Sequence, residues 1–484
     1  MSHHTVSRVV TPTRAAEPSS RRTAPAAVRD RVMSWGGRAV PLHWSTLLGV
    51  ISLSCFAVLT VTGVVLLFFY DPSSDTVRYS GSYPLLQGVP VSKAYASTVH
   101  LSLEVRGGLL VRQAHHWAAL VLPASLMLQL LSTFFTGGFR RPRHWSWVLL
   151  ALTFVLALAA GWSGYGLPDD LLAGTGLRIV EGIVIGIPVV GSWASFVVFG
   201  GEFPGHVIEH MYWLHVAVVP ALLIVVLALR LRLAVRRRSA QFPGRGRTEH
   251  NLVGLPLSAV AVRALGLFLI TAGVLFLLAG AVTISPIWIH GPSSTGHASA
   301  GSQPDWYTSF LDGALRLVPT GWEVQALGGT IPVGLLLAQG AVGAFLAVVV
   351  LWPFLEGRAT GDRGPHHLLD RPRERPNRTA FGVAGLVFFV TLWVAGSTDL
   401  ITTQFGLAFE HLVVALRAIL VIGPAAAFYL TRQLCLALAE QDRERLLHGF
   451  ETGRIIRSPE GGYSEVHAPL DDDRRAIISH DRAG

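Results

Sequence analysis

Apolar residues along this chain gather into long runs, with polar and charged residues filling the intervals between them. Eight runs stand out, roughly over 46–70, 113–135, 146–164, 211–230, 262–284, 332–354, 380–396 and 411–431. A bilayer's hydrocarbon core takes about 20 mostly apolar residues per helical crossing, and only structures that satisfy their own backbone groups persist there. Each run is therefore predicted to be a transmembrane helix, the seventh a short one. One or two such runs could be buried helices of a soluble protein, but eight could not. The predicted fold is all-α: a polytopic membrane protein of about eight transmembrane helices.

Composition agrees with this pattern. Of the 484 residues, 51% are hydrophobic and 14% charged, against about 25% charged in ordinary soluble domains. The net charge of +9 would by itself admit a nucleic-acid partner, but its placement points elsewhere. Arginines crowd the N-terminal arm, the turn at Arg140, Arg141 and Arg143, the stretch from Arg232 to Arg247, the linker from Arg358 to Arg378, and the tail. These blocks alternate with 71–109, 167–209, 285–331 and 397–410, which are poor in Arg and Lys. Positively charged loops stay cytoplasmic, so both termini are predicted to be cytoplasmic, and the charge records topology with no nucleic-acid role. Residues 1–40 are polar and Arg-rich, and they lack the apolar core of a cleaved signal; a disordered cytoplasmic arm is predicted.

Candidate chemistry enters through histidine. Cys55 and Cys435 lie in or beside separate predicted spans, and the chain has neither a C-x-x-C-H motif nor a cysteine cluster. Any redox cofactor would have to be held by histidine. Metal-binding side chains inside spans are costly and point to function. His115 begins the second span, in Arg112-Gln-Ala-His115-His116-Trp117, and His215 lies early in the fourth, ahead of Pro220. With both termini inside, these spans run in the same direction, so the two histidines fall at similar depth near the outer face. Two imidazoles from facing helices are what a six-coordinate heme iron takes in a helix bundle. His116 rivals His115, but one residue turns a helical side chain by about 100°, so only one of them can face the cofactor. His100, His206 and His210 read as loop or helix-start residues on the outer surface.

Several stretches carry a family resemblance: Ala94-Tyr-Ala-Ser, Glu104-Val-Arg-Gly-Gly, Arg112-Gln-x-His-His-Trp-Ala-Ala and Phe134-Phe-Thr-Gly-x-Phe-Arg-Arg-Pro-Arg143. Others are Gly164-Tyr-Gly-Leu-Pro-Asp-Asp170, Phe199-Gly-Gly-Glu-Phe-Pro-Gly205 and Gln241-Phe-Pro-Gly-x-Gly-Arg-Thr-Glu-His-Asn251. Ala300-Gly-Ser-Gln-Pro-Asp-Trp-Tyr307 and Asp442-Arg-Glu-x-Leu-x-His-Gly-x-Glu-Thr-Gly453 complete the set. Over about residues 40–470 the chain resembles the cytochrome b subunit of actinobacterial menaquinol–cytochrome c oxidoreductase.

The resemblance implies a heme-binding four-helix bundle over 41–250, a C-terminal transmembrane region with a quinol-site loop over 251–431, and a cytoplasmic tail over 432–484. It implies heme b, two per chain in the family, with menaquinol as substrate. The implied partners are a Rieske iron–sulfur subunit, a cytochrome c subunit and a second copy of the complex, all in the cell membrane. His115 and His215 carry over as axial ligands of the outer, low-potential heme. Arg112 would meet a heme propionate, although from spacing alone it reads equally as an interfacial arginine. Gly164 would allow close approach of the third span, as glycines in spans also do in plain helix packing. Pro304-Asp305-Trp306-Tyr307 resembles the family's quinol-oxidation motif, which often has Glu in place of Asp. Asp305 is then the candidate base, Tyr307 its hydrogen-bonding partner, and Pro304 and Trp306 part of the quinol site. Without the resemblance the same four residues are a loop within an interfacial aromatic belt.

One part of the pattern is missing. The family's second heme takes one further histidine on each of the same two helices, about four turns inward. Fourteen residues past His115 stands Gln129, and fifteen past His215 stands Arg230. These positions lie roughly 21–23 Å deeper, rotated by only about −40° and +60°. Glutamine is a poor iron ligand and a guanidinium cannot deprotonate to coordinate metal. Ser132 replaces a propionate-pairing arginine of the relatives, and a substitute ligand would have to come from elsewhere, such as His144 in the following loop. One heme is predicted, so a complete quinone cycle lacks its inward electron path. A divergent single-heme electron-transfer paralogue and a non-catalytic membrane scaffold are the alternative readings.

Overall fold

The computed structural model describes residues 9–10, 36–201, 205–294, 296, 303–319, 321–326 and 329–478. Most of the predicted disordered arm over 1–40 lies outside the described residues, as do 202–204 and 300–302 of the family-like stretches. Among the described residues eight helices are long and apolar enough to cross a membrane. The chain is an integral membrane protein of mostly helical fold.

In chain order the helices that matter here are α1 (Trp44–Leu67), α2 (Lys93–Leu103), α3 (Gly108–Phe135), α4 (His144–Gly166), α5 (Leu171–Ile185) and α6 (Gly191–Phe199). Then come α7 (Val207–Arg236), α8 (Leu257–Ala281), α9 (Ser309–Leu317), α10 (Val333–Thr360), α11 (Pro376–Ala395) and α12 (Phe409–His448). The spans are α1, α3, α4, α7, α8, α10, α11 and α12.

The fold is organised around α3 and α4. In their most apolar windows 39% and 44% of residues are buried within the protein, against 11% for α8 and α12, which leave most of their surface outside the chain's own core. Helix α3 packs on α1, α4 and α8, while α4 also holds α7 and α10. Further along, α11 packs on α9 and α12. One continuous core, including Leu126, Phe139, Trp147, Tyr307 and Phe310, joins the two halves. Starts and stops follow local chemistry. His43 caps α1 by accepting from Ser45 N–H and donating its backbone N–H to Thr46. Gly107 (φ 78°) takes the left-handed turn between α2 and α3, and Gly108 approaches the Leu101 carbonyl closely enough to exclude any side chain.

The arginine-rich connections condense into an ion network. Asp370 lies 2.9 Å from Arg140, 2.5 Å from Arg378 and 3.5 Å from Arg375, and Arg378 also pairs with Glu356. Burial alone would raise the Asp370 pKa, but Arg140, Arg378 and Arg375 outweigh it and hold the carboxyl below its ordinary value.

Two features go beyond the hydropathy pattern. The last helix does not end with its apolar run near 431: α12 continues to His448, where Glu440–Arg443 and Glu444–His448 contacts, with Arg371 and Arg373 on Asp442, support a polar extension. A hairpin of Phe450–Arg457 with Tyr463–Ala468 follows. The short helices α2, α5, α6 and α9 occupy stretches that the sequence pattern leaves as plain connections.

Candidate functional site

His215 sits on α7 within a widened turn, Leu214–Val218. Pro220 causes the local irregularity: it lacks an N–H and its ring crowds the carbonyl four residues earlier. His215 Nδ1 lies 2.9 Å from the Ala160 carbonyl on α4, so that nitrogen carries the proton. His115, on α3, places Nδ1 2.9 Å from Thr62 Oγ1 on α1. The Thr62 hydroxyl already donates to the Val58 carbonyl at 2.6 Å, so it accepts from His115. Both rings therefore keep the Nε2 lone pair available, the tautomer that a metal needs. The ring centres are 6.1 Å apart. Two metal–imidazole bonds of about 2 Å, with about 1.1 Å from each nitrogen to its ring centre, require about 6 Å.

Two glycines make room for these rings. A Cβ on Gly164 of α4 would stand 2.5 Å from His215 Cε1, and one on Gly63 of α1 would stand 3.3 Å from His115 Cε1. The cavity between them is lined by Gly63, Arg112, His115, Gly164, His215 and mostly apolar neighbours. Arg112 reaches it buried, donating from Nη2 to the Ser285 carbonyl at 3.1 Å and lying over Trp288. Its Nε is buried with no hydrogen-bond partner, an orphaned donor that suits a carboxylate ligand. Paired imidazoles, glycine clearances and an arginine short of one acceptor fit a heme with anionic propionates. Among the described residues no cluster of three or more His, Cys, Asp and Glu could hold a bare metal ion.

A second, largely apolar pocket adjoins the first, lined by Trp162, Leu177, Val180, Ile183, Leu311 and Leu315, with Pro304 at its edge. Asp305 and Tyr307 line both cavities. Tyr307 is 2% exposed and donates to Asp305 Oδ2 at 2.8 Å. Gly161 has no side chain because the Tyr307 ring fills that space. Burial, and then the neighbouring Asp305, hold the Tyr307 phenol well above its usual pKa, so it stays a donor. Trp393 Nε1 donates to the Trp306 carbonyl at 2.8 Å and pins the loop from α11. At the far end, Arg316 pairs with Asp312 at 2.8 Å and Asp399 at 2.9 Å. Burial raises the Asp312 carboxyl above its ordinary pKa.

Further along α3 and α7 the side chains meet directly. Arg230 Nη2 donates to Gln129 Oε1 at 2.8 Å, Gln129 Nε2 lies 3.4 Å from Ser52 Oγ, and Ser52 meets Ser125 at 2.8 Å. Ser132 turns back to the Gln129 carbonyl at 3.0 Å. His144, the conceivable substitute ligand, packs instead against Trp145 and Phe354.

Known proteins place this architecture. A family model described as cytochrome b (N-terminal)/b6/petB matches residues 120–292. The cytochrome bc1 complex cytochrome b subunit of Streptomyces coelicolor is 41% identical over 97% of this chain and 89% of its own length. The subunits of the same name from Corynebacterium efficiens and Mycobacterium tuberculosis are 42% and 43% identical, over 93% and 94% of this chain and 83% of their own lengths. The chain belongs to the cytochrome b family. Its fold also resembles a solved hyperthermophilic respiratory Complex III chain, with a TM-score of 0.59 and 19% identity over 84% of this chain and 98% of that one.

For a cytochrome b, with heme b as the family's cofactor, the placement of the sequence candidates is informative. His115 and not His116 faces His215, and the rotation of about 100° per residue turns His116 toward Asp305, 3.3 Å from both carboxylate oxygens. His100, His206 and His210 stay exposed. Sequence reasoning did not single out Thr62, Gly63, Ala160 or Gly161. The glycines carried a faint signal as Gly in otherwise apolar spans, whereas Thr62 and Ala160 act through ordinary helix atoms and carried none.

Proposed function

We propose that this protein is the cytochrome b subunit of a menaquinol–cytochrome c oxidoreductase and holds one heme b between His115 and His215. The observation that carries the reading is the 6.1 Å imidazole pair with both Nδ1 atoms satisfied by the protein. Residues 41–250 form the heme-binding bundle and 251–431 the C-terminal membrane region with the quinol loop; 1–40 and 432–484 are cytoplasmic, as the arginine-rich blocks require. The partners are a Rieske iron–sulfur subunit, a cytochrome c subunit and a second copy of the complex in the cell membrane. Heme b, when bound, supplies reversible one-electron redox chemistry. The protein's own residues do the rest: the imidazoles orient and ligate, and Arg112 offers its free Nε to a propionate. Menaquinol enters the apolar pocket, where Asp305 accepts a hydroxyl proton and Tyr307 holds the carboxylate by its 2.8 Å hydrogen bond.

Three observations support a single heme. Gln129 and Arg230, at the positions of the inner ligands, are hydrogen-bonded to each other. Ser52 and Ser125 extend that contact into a polar chain across α1, α3 and α7. Fourteen residues inward of Gly164 stands Leu150, 4% exposed, where the outer site has a glycine. The same chain favours a second reading, a single-heme electron-transfer paralogue without full quinone-cycle turnover. The test is heme b per polypeptide by pyridine hemochrome, with quinol–cytochrome c turnover measured alongside. A ratio near one, abolished by His115→Ala, agrees with the proposal; a ratio near two sinks the single-heme reading. A ratio near one without turnover selects the paralogue.

A further inference from the structure

The helix that carries His115 has a second working face. Positions 112, 113, 116 and 117 of α3 lie together at helical spacing, and all four grip the chain between α8 and α9. Arg112 donates to the Ser285 carbonyl at 3.1 Å. Gln113 both donates to the Ile284 carbonyl and accepts from its N–H, each at 2.8 Å. Trp117 Nε1 donates to the Val282 carbonyl at 3.0 Å. These three contacts are to backbone and would hold any sequence. Of the four, His116 hydrogen-bonds a side chain: its Nε2 lies 3.3 Å from both oxygens of Asp305.

That contact differs in kind from the one Tyr307 makes. Tyr307 is two residues from Asp305 on the same loop and bonds only one carboxylate oxygen, Oδ2. His116 stands on α3, one of the two most buried spans, and meets both carboxylate oxygens from outside the loop. Asp305 lines both cavities, and without His116 the carboxylate would keep only the single Tyr307 bond and could rotate about it.

We propose that His116 is a positioning residue for quinol oxidation: as a hydrogen-bond donor it fixes the Asp305 carboxylate at the wall between the two cavities. The same helix thereby sets the heme ligand on one face and the quinol base on the next. The inference rests on the reading of Asp305 as the base, and its test separates the two.

Membranes carrying the complete complex are given a short-chain menaquinol, and steady-state kcat and KM are measured for His116→Leu, His116→Asn, His116→Gln, Asp305→Asn and the His116→Leu/Asp305→Asn pair. Misplacing a reacting group by about 1 Å can cost on the order of 100-fold, so His116→Leu is expected to lower kcat about 10- to 100-fold, with KM within about twofold of wild type. Gln reaches the carboxylate and should restore most of the rate, whereas Asn is too short and should not. The double variant should be no slower than Asp305→Asn, because His116 acts only through that carboxylate. If His116→Leu fails to take up heme, the Asn–Gln comparison decides. Unchanged kcat in His116→Leu or His116→Asn with Asp305→Asn impaired overturns the positioning role and leaves the base intact. Additive losses in the double variant overturn it equally. Full activity in Asp305→Asn removes the base and the positioning role together.

Discussion

Gly164→Ala and Gly63→Ala form a matched pair that tests the heme cradle through its two helix contacts. A Cβ on Gly164 would sit 2.5 Å from His215 Cε1, 2.9 Å from Nδ1 and 3.1 Å from Nε2. Ordinary contact begins at 3.4 Å, so the ring would have to move by 3.4 − 2.5 = 0.9 Å. At Gly63 the matching distance to His115 is 3.3 Å, and a shift of 3.4 − 3.3 = 0.1 Å suffices. Metal–ligand distances tolerate only about 0.2 Å. His215 cannot retreat freely, because Nδ1 is held by the Ala160 carbonyl, and overpacking of this kind costs about 1–3 kcal/mol. Gly164→Ala is therefore expected to lose most of its heme b while Gly63→Ala keeps nearly all of it. Pyridine hemochrome on purified protein reads the content, and circular dichroism confirms that both variants stay helical. Full heme content in Gly164→Ala, or equal loss in the two, would refute the reasoning.

Other perturbations probe the surroundings. Gln129→Leu leaves Arg230 without its 2.8 Å partner inside the span and should lower stability by about 1–3 kcal/mol without changing heme content; thermal melts followed at the heme band check both. Arg378→Met strips Asp370 and Glu356 of a shared cation and should cost about 3–5 kcal/mol, seen as a lower melting temperature with an unaltered heme spectrum. Burial pushes the Asp169 carboxyl up to about 6, above the unfolded value of about 3.9. Its ionisation therefore opposes folding, by an amount that grows above pH 4 and is complete above about 6. Asparagine accepts the backbone of this residue (φ 52°), so Asp169→Asn should raise the melting temperature at pH 8 by more than at pH 4, and equal shifts at both pH values would exclude the titration.

Much of this protein was legible in the sequence, because lipid imposes a one-dimensional rule. Eight apolar runs of sufficient length became eight spans, since each helix must satisfy its backbone alone and be apolar over a fixed thickness. His115 and His215 could be paired from depth along their helices, which is also a one-dimensional quantity. Where hydropathy ceased to be the deciding force, the reading stopped short: ion pairs carry α12 to His448, and the short helices outside the spans left no long apolar signature.

The tertiary structure alone decided which faces meet. Helix rotation chose His115 over His116 for the pair with His215 and gave His116 to Asp305. Only the packing of α1 and α4 showed that Thr62 and Ala160 set the tautomers, or that Gln129 and Arg230 close on one another. The sequence determined how deep each side chain lies, because depth follows from counting along a helix. Azimuth and partner follow from how neighbouring helices pack, and that is a property of contacts far apart in the chain.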